Sequence, residues 1–141
     1  MQKAVKDWLR NVRMFSFREI DRLKSKKDFQ SVFSKAKKAS NRNFLALYNL
    51  NQLNRARLGI IIAKRLVKSA VIRNQFKRIV RESFRHHQAL LMGLDVIIIM
   101  RSTHDLLPYQ PLKKIALRHN IDNLWNQLLL SGQAVLECSL P

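Results

Sequence analysis

Apolar residues return at spacings of three and four from Ile72 onward, at Ile72, Phe76, Ile79, Val80 and Phe84. That period draws one apolar stripe along an amphipathic helix. Arg73, Lys77, Arg81 and Arg85 recur every four residues and form a second stripe, with Asn74 and Arg78 beside it. One face can dock on a core while the other presents cations. The spacing predicts a helix from about Ser69–Ala70 to about His87. An apolar run, Gly59-Ile60-Ile61-Ile62-Ala63, comes before it and stops abruptly at Lys64-Arg65. Val67 to Ser69 is the bend between the two.

Pattern predicts the other elements in the same way. Ser25-Lys26-Lys27-Asp28 has capping-box spacing. The helix after it should bury Phe29, Val32, Phe33 and Ala36, with Lys35, Lys37 and Lys38 loading its C-terminal end, where cations suit the helix dipole. Phe44–Leu50 and Leu58–Ala63 read as strands, with the Asn-rich segment 49–54 as the turn between them. Leu45, Leu47 and Asn49 face one way, and Phe44, Ala46 and Tyr48 the other. A slip of one residue would exchange those faces. Gly93 breaks the chain, and Asp95–Met100 is a continuous apolar strand suited to a buried sheet position. His104–Tyr109 is a loop, and Pro111 suits the first turn of a final helix. That helix is expected to run to about Leu130, with Gly132 as its stop and Leu117, Ile121, Leu124, Trp125 and Leu128 as its buried stripe.

Both chain ends read differently from the middle. Val5, Trp8, Leu9 and Val12 have helical spacing among Lys3, Lys6, Arg10 and Arg13, without the continuous apolar stretch of a signal peptide. Residues 1–14 are read as a frayed or loosely docked extension, with a membrane-surface helix and a misassigned start codon as alternatives. Residues 131–141 are read as a loose tail. The segment between, residues 15–130, is expected to form one domain, as a chain of 141 residues allows.

Charge changes the picture most. The net charge is +18 and the apolar fraction 47%, so the chain is a folding sequence and not a disordered polycation. A folded protein with that imbalance normally meets a polyanion, nucleic acid first. From Lys64 to Arg85 there are eight Lys or Arg against one acid, Glu82, which lies four residues after Arg78 and can pair with it. Such a stripe repels itself unless an anion covers it. Cys138 is the only cysteine, which excludes a disulfide framework and a cysteine metal cluster and agrees with a reducing cytoplasm. No apolar run approaches the about 20 residues needed to span a bilayer.

Bond-breaking chemistry is hard to find. The nine acids, Asp7, Glu19, Asp21, Asp28, Glu82, Asp95, Asp105, Asp122 and Glu137, are scattered across different elements. A two-metal nuclease needs carboxylates converging on ions about 4 Å apart. His86 and His87 are adjacent, so they point about 100° apart on a helix and do not readily share one ion. Three glycines leave no phosphate-binding glycine loop. No catalytic group and no metal ligand is therefore assigned.

Ala63-Lys64-Arg65, then Ala70-Val71-Ile72-Arg73-Asn74-Gln75-Phe76-Lys77-Arg78, then Arg81-Glu82-Ser83-Phe84-Arg85 resembles the signature of the bacterial ribonuclease P protein subunit. That family carries an Arg-Asn-Arg core followed by Lys-Arg and Arg-Glu. Gln75 departs from it, keeping hydrogen-bonding capacity but losing a charge. Leu23 through Phe33, with Phe-x-x-Val-Phe, is similar to the family's first helix. The resemblance covers about residues 15–130. It implies an α+β fold, a single-domain α/β sandwich with a mixed sheet of about four strands and about three helices. The order would be α-β-β-(β)-α-β-α, with a left-handed βαβ crossover taken from the family, against the general right-handed rule.

The resemblance also implies function. The family's protein assists a catalytic RNA subunit, which carries the active site and its Mg²⁺ ions, in removing the 5′ leader of precursor tRNA. Lys64, Arg65, Lys68, Arg73, Asn74, Lys77, Arg78, Arg81 and Arg85 are then expected to contact the RNA subunit. Phe29, Phe33 and Tyr48 are expected to line a cleft that holds the leader by base stacking. On spacing alone the two phenylalanines are equally plain core. The expected partners are the catalytic RNA and precursor tRNA, with no membrane and no obligate protein partner, in the cytoplasm. Two other classes compete: a ribosomal-type structured-RNA binder without a link to catalysis, and an autonomous nuclease.

Overall fold

A computed structural model of the protein describes residues 19–107 and 109–139, with side chains described as far as residue 130. The amphipathic segment expected over residues 1–14 lies outside the described residues. After a short 3₁₀ turn at Glu19–Asp21 come α1 (Lys26–Ser34), β1 (Lys37–Ser40), β2 (Phe44–Leu50), β3 (Arg57–Ile61), α2 (Ala70–His87), β4 (Leu94–Met100) and α3 (Lys113–Ser139). This is the expected α+β architecture, three helices on a four-stranded mixed sheet.

Ser25 caps α1 as its spacing predicts, its Oγ accepting from the Asp28 N–H at 3.1 Å. The helix is shorter than expected. Lys37 and Lys38 do not load its end; they belong to β1, which pairs antiparallel with β2 from Lys37↔Tyr48 to Ser40↔Leu45. Pairing satisfies backbone groups that a lengthened helix would have had to satisfy alone. At the other end of the chain, α3 runs through Gly132 to Ser139. One helical glycine costs only about 1 kcal/mol, too little by itself to end a long helix.

Strand order is β1-β2-β4-β3. β4 is antiparallel to β2 and parallel to β3. The segment after β2 is therefore not a hairpin turn; it carries the chain past β4 to the far edge. Parallel strands need a long connection, and α2 supplies it between β3 and β4.

The sheet is covered on both faces. Phe76, Ile79, Val80 and Phe84 of α2 and Leu117, Ile121, Leu124, Trp125 and Leu128 of α3 pack on Phe44, Ala46, Tyr48, Leu58, Val96, Ile98 and Met100. Each fully buried side chain of this kind contributes about 1.5–3 kcal/mol. On the opposite face a smaller cluster, Leu23, Val32, Leu47 and Ile97, sits under α1 with Phe29, Ala36, Leu45 and Ile99 at its margin. Strand alternation explains the division: Leu45 and Leu47 meet α1, while Phe44, Ala46 and Tyr48 meet α2 and α3.

Two polar networks lock the layers. Trp125 Nε1 donates to Ser83 Oγ at 2.8 Å, and Ser83 Oγ donates in turn to Asp122 Oδ1, joining α2 to α3. On the other side, Arg57 grips Asp95 with two hydrogen bonds, Nε to Oδ1 at 2.8 Å and Nη2 to Oδ2 at 2.6 Å. Asp28 of α1 approaches the same guanidinium at 3.7 Å. The hydrogen bond to Asp95 raises the Arg57 pKa above its ordinary value against the opposing effect of burial. The free edge of β3 is occupied as well: Leu23 N–H donates to the Leu58 carbonyl at 3.0 Å, and Arg22 bridges to Leu58 in parallel.

Candidate nucleic-acid interface

Ser69 caps α2, its Oγ accepting from the Ile72 N–H at 3.3 Å. That start orients the helix so that the predicted apolar stripe is buried, with Ile72 half-buried at its margin. The cations come out along the other side. Lys64, Arg65, Lys68, Asn74 and Arg78 are exposed, while Arg73, Lys77, Arg81 and Arg85 are half-buried along their stems.

The stripe is not uniform. Arg73 Nη1 donates to the carbonyls of Val67 at 2.8 Å and Lys68 at 3.1 Å. It thereby ties the 64–69 loop to α2 and brings Lys68 beside the helical cations. Glu82 does not pair with Arg78 as its spacing suggested; it pairs with Arg85 three residues on and with His86 four residues on. Those partners, the Arg85 hydrogen bond first, hold the Glu82 carboxyl below the usual carboxylate range. Arg78 is thus left to solvent. Burial, then the like charges of Arg22 and Arg78, lower the Arg81 pKa. His87 Nδ1 meets the Ser83 carbonyl at 2.8 Å while His86 turns to Glu82, so the two imidazoles serve different partners.

On the sheet face opposite α2 lies the aromatic helix α1. Phe29 and Phe33 stand one turn apart with ring centroids 6.4 Å apart and planes at 33°. Phe29 is half-buried; Phe33 is 47% exposed, far more than a core side chain. Phe29 lies directly over Gly59, where a Cβ would come within 2.8 Å of the ring. Only the missing side chain lets the ring settle on the strand. A groove of about 130 Å³ opens there, and its lining includes Phe29, Gly59 and Leu23 together with the cations Arg22, Lys77 and Arg81.

Tyr48 corrects the expectation. It is 3% exposed and belongs to the α2–α3 core. Alternation puts Leu45 and Leu47, not Tyr48, on the face that α1 covers. Arg22 and Leu23, by contrast, join the groove without having been singled out. Arg22 lies in no periodic stripe; the mid-strand glycine at 59 was the one signal that a neighbour approaches closely.

Among the described residues no three His, Cys, Asp or Glu side chains converge to hold a metal ion. No described helix is long and apolar enough to cross a membrane. The site built here is cationic and aromatic, suited to binding.

A protein-family model described as Ribonuclease P matches residues 17–128. The ribonuclease P protein component of Saccharophagus degradans is 42% identical over 122 residues, covering 86% of this chain and 87% of the relative. Solved structures share the fold. The RNase P protein of Staphylococcus aureus matches with a TM-score of 0.67 at 28% identity, covering 77% of this chain and 94% of that one. The Thermotoga maritima protein matches with a TM-score of 0.63 at 30% identity, covering 73% and 93%. The cationic helix and the aromatic groove therefore stand on a scaffold shared along nearly the whole of these proteins, and the chain belongs to the ribonuclease P protein family, the RNA-binding component of an endoribonuclease that acts in tRNA 5′ processing and whose catalysis is by RNA.

Proposed function

We propose that α2 and the 64–69 loop hold the RNA subunit, and that the groove beside α1 receives the 5′ leader of precursor tRNA. The RNA-subunit surface comprises Lys64, Arg65, Lys68, Asn74, Lys77, Arg78 and Arg81, with Arg73 supporting the loop and Arg85 at the far end. The leader surface comprises Phe29 in the groove and exposed Phe33 beside it on α1; Tyr48 is withdrawn from it. One observation carries the reading: Lys77 and Arg81 of the cationic helix also line the groove that holds Phe29. Two surfaces of different chemistry thus share a wall, so a strand leaving a folded RNA on α2 can enter the aromatic groove without crossing a gap.

The division of labour follows. Phosphate neutralisation supplies affinity that falls with salt, while stacking on aromatic rings accepts any base. The Mg²⁺ ions belong to the ribonucleoprotein. This chain's charge of +18 lowers repulsion between closely spaced RNA strands and reduces the Mg²⁺ requirement. The reading places the protein in the bacterial cytoplasm, with its RNA partners.

The test is reconstitution with bacterial ribonuclease P RNA and precursor tRNA at low Mg²⁺. Stimulated 5′ cleavage is the expected outcome. RNA binding without stimulation would indicate a structured-RNA binder, and cleavage without added RNA subunit an autonomous nuclease.

A further inference from the structure

A larger depression, about 400 Å³, lies on the other flank of α2, between that helix and the start of α3. Its volume falls within the about 300–1,000 Å³ of small-ligand clefts. At about 100° per residue, Lys77 and Arg81 lie on one flank of α2 and Gln75 and Glu82 on the other, with Arg78 on the crest between. The family signature ends on α2, yet this depression draws Lys114 and Arg118 from α3 and Tyr109 from the preceding loop. The sequence stripes assigned none of these three.

The walls are fixed. Arg118 Nε lies 3.4 Å from Asp122 Oδ1, and Asp122 is anchored by the buried Ser83–Trp125 network. Tyr109 is held edge-on against buried Phe76, with centroids 5.3 Å apart at 71°. Glu82, the acid on this rim, is occupied by Arg85 and His86. Three cations, an amide and a pre-positioned aromatic ring therefore surround one opening.

We propose that the α2–α3 depression is a second RNA subsite, one that takes an unpaired nucleotide. Arg78, Lys114 and Arg118 hold its phosphates, Tyr109 meets its base, and the Gln75 amide hydrogen-bonds to the base or sugar. The proposal rests on the RNA-binding reading above and extends it from one helix to two. The nucleotide belongs either to the catalytic RNA or to the precursor, and the experiment separates these sources.

Full-length protein carrying Lys114→Ala with Arg118→Ala is titrated with the RNA subunit alone, and the assembled holoenzyme is then titrated with precursor tRNA, each at several salt concentrations. Weakening of about fivefold or more, with a salt slope lowered by about two, is expected. If it falls on the first titration the nucleotide is from the catalytic RNA; if only on the second, from the precursor. Gln75→Arg provides the converse test: an added cation should tighten the same titration and steepen its slope by about one. Wild-type affinity in both titrations for the double variant, with no gain from Gln75→Arg, overturns the subsite alone. A wild-type protein that binds neither RNA removes the underlying reading and the subsite with it.

Discussion

Arg73 and Arg78 carry the same charge and do different work. Arg73 is bonded to two backbone carbonyls of the 64–69 loop; Arg78 is exposed, with Glu82 turned away to Arg85 and His86. Arg78→Ala should therefore leave thermal stability within about 0.5 kcal/mol and lower the salt slope of RNA-subunit binding by about one. Arg73→Ala should in addition destabilise the fold by about 1 kcal/mol, visible as a lower melting temperature. Equal melting temperatures for the two variants would remove the distinction. Phe33 is separable for a similar reason. At 47% exposure its truncation should cost far less than the about 3–5 kcal/mol of a buried phenylalanine. Phe33→Ala should weaken precursor binding severalfold and leave mature tRNA binding unchanged; equal losses for both ligands would argue against the leader groove. Periodicity marks Phe29 and Phe33 but does not tell Phe33 from core, because both fall in the three- and four-residue spacing of a buried stripe while Phe33 stays exposed. It also sorted β2 into two faces correctly, yet which face belonged to α1 depended on a strand order that no local pattern encodes. Tyr48 therefore falls in the α2–α3 core and not in the groove.

The helices were legible where both a cap and a stripe were present, and less so where only one was. Ser25 and Ser69 mark the starts of α1 and α2, and the α2 stripe matches the buried set almost residue for residue. The end of α1 was not legible. Lys35 to Lys38 suit a helix end electrostatically, and only the pairing of Lys37–Ser40 with β2, a contact made across a turn, overrides that preference. The far end of α3 is not legible either, because a lone glycine looks like a stop and the helix continues through Gly132. Ser83 was hidden too, since a serine in a helix normally faces water. Here it is fully buried between Trp125 and Asp122. Ser83→Ala should leave the indole N–H without its acceptor and cost about 1–3 kcal/mol. A denaturant midpoint shifted down at constant m-value would show this, and an unshifted midpoint would show the network to be incidental.

At the scale of the molecule, charge and sheet act together. A net +18 announced a polyanion partner, and the structure concentrates part of that charge along α2 while leaving the aromatic groove across β3. The two surfaces should respond differently to ions. RNA-subunit affinity should fall steeply and log-linearly with added monovalent salt. The ratio of precursor to mature tRNA affinity should change less, because stacking on the aromatic rings is not screened and only part of the groove is cationic. Titrations at four or more salt concentrations would check this, and a ratio that falls in parallel with RNA-subunit affinity would count against separate surfaces. Strand order, a global property that local patterns do not encode, makes this arrangement possible: it puts β3 at the border, within reach of both α1 and α2.

That border has a further effect. Arg22 and Leu23 already lie along Leu58, and the opposite margin is the four-residue β1 with exposed Lys37 and Lys38. Neither side offers a stranger a long, uncharged ladder to extend. Among the described residues, then, neither margin of the sheet favours edge-to-edge pairing with a second copy of the chain.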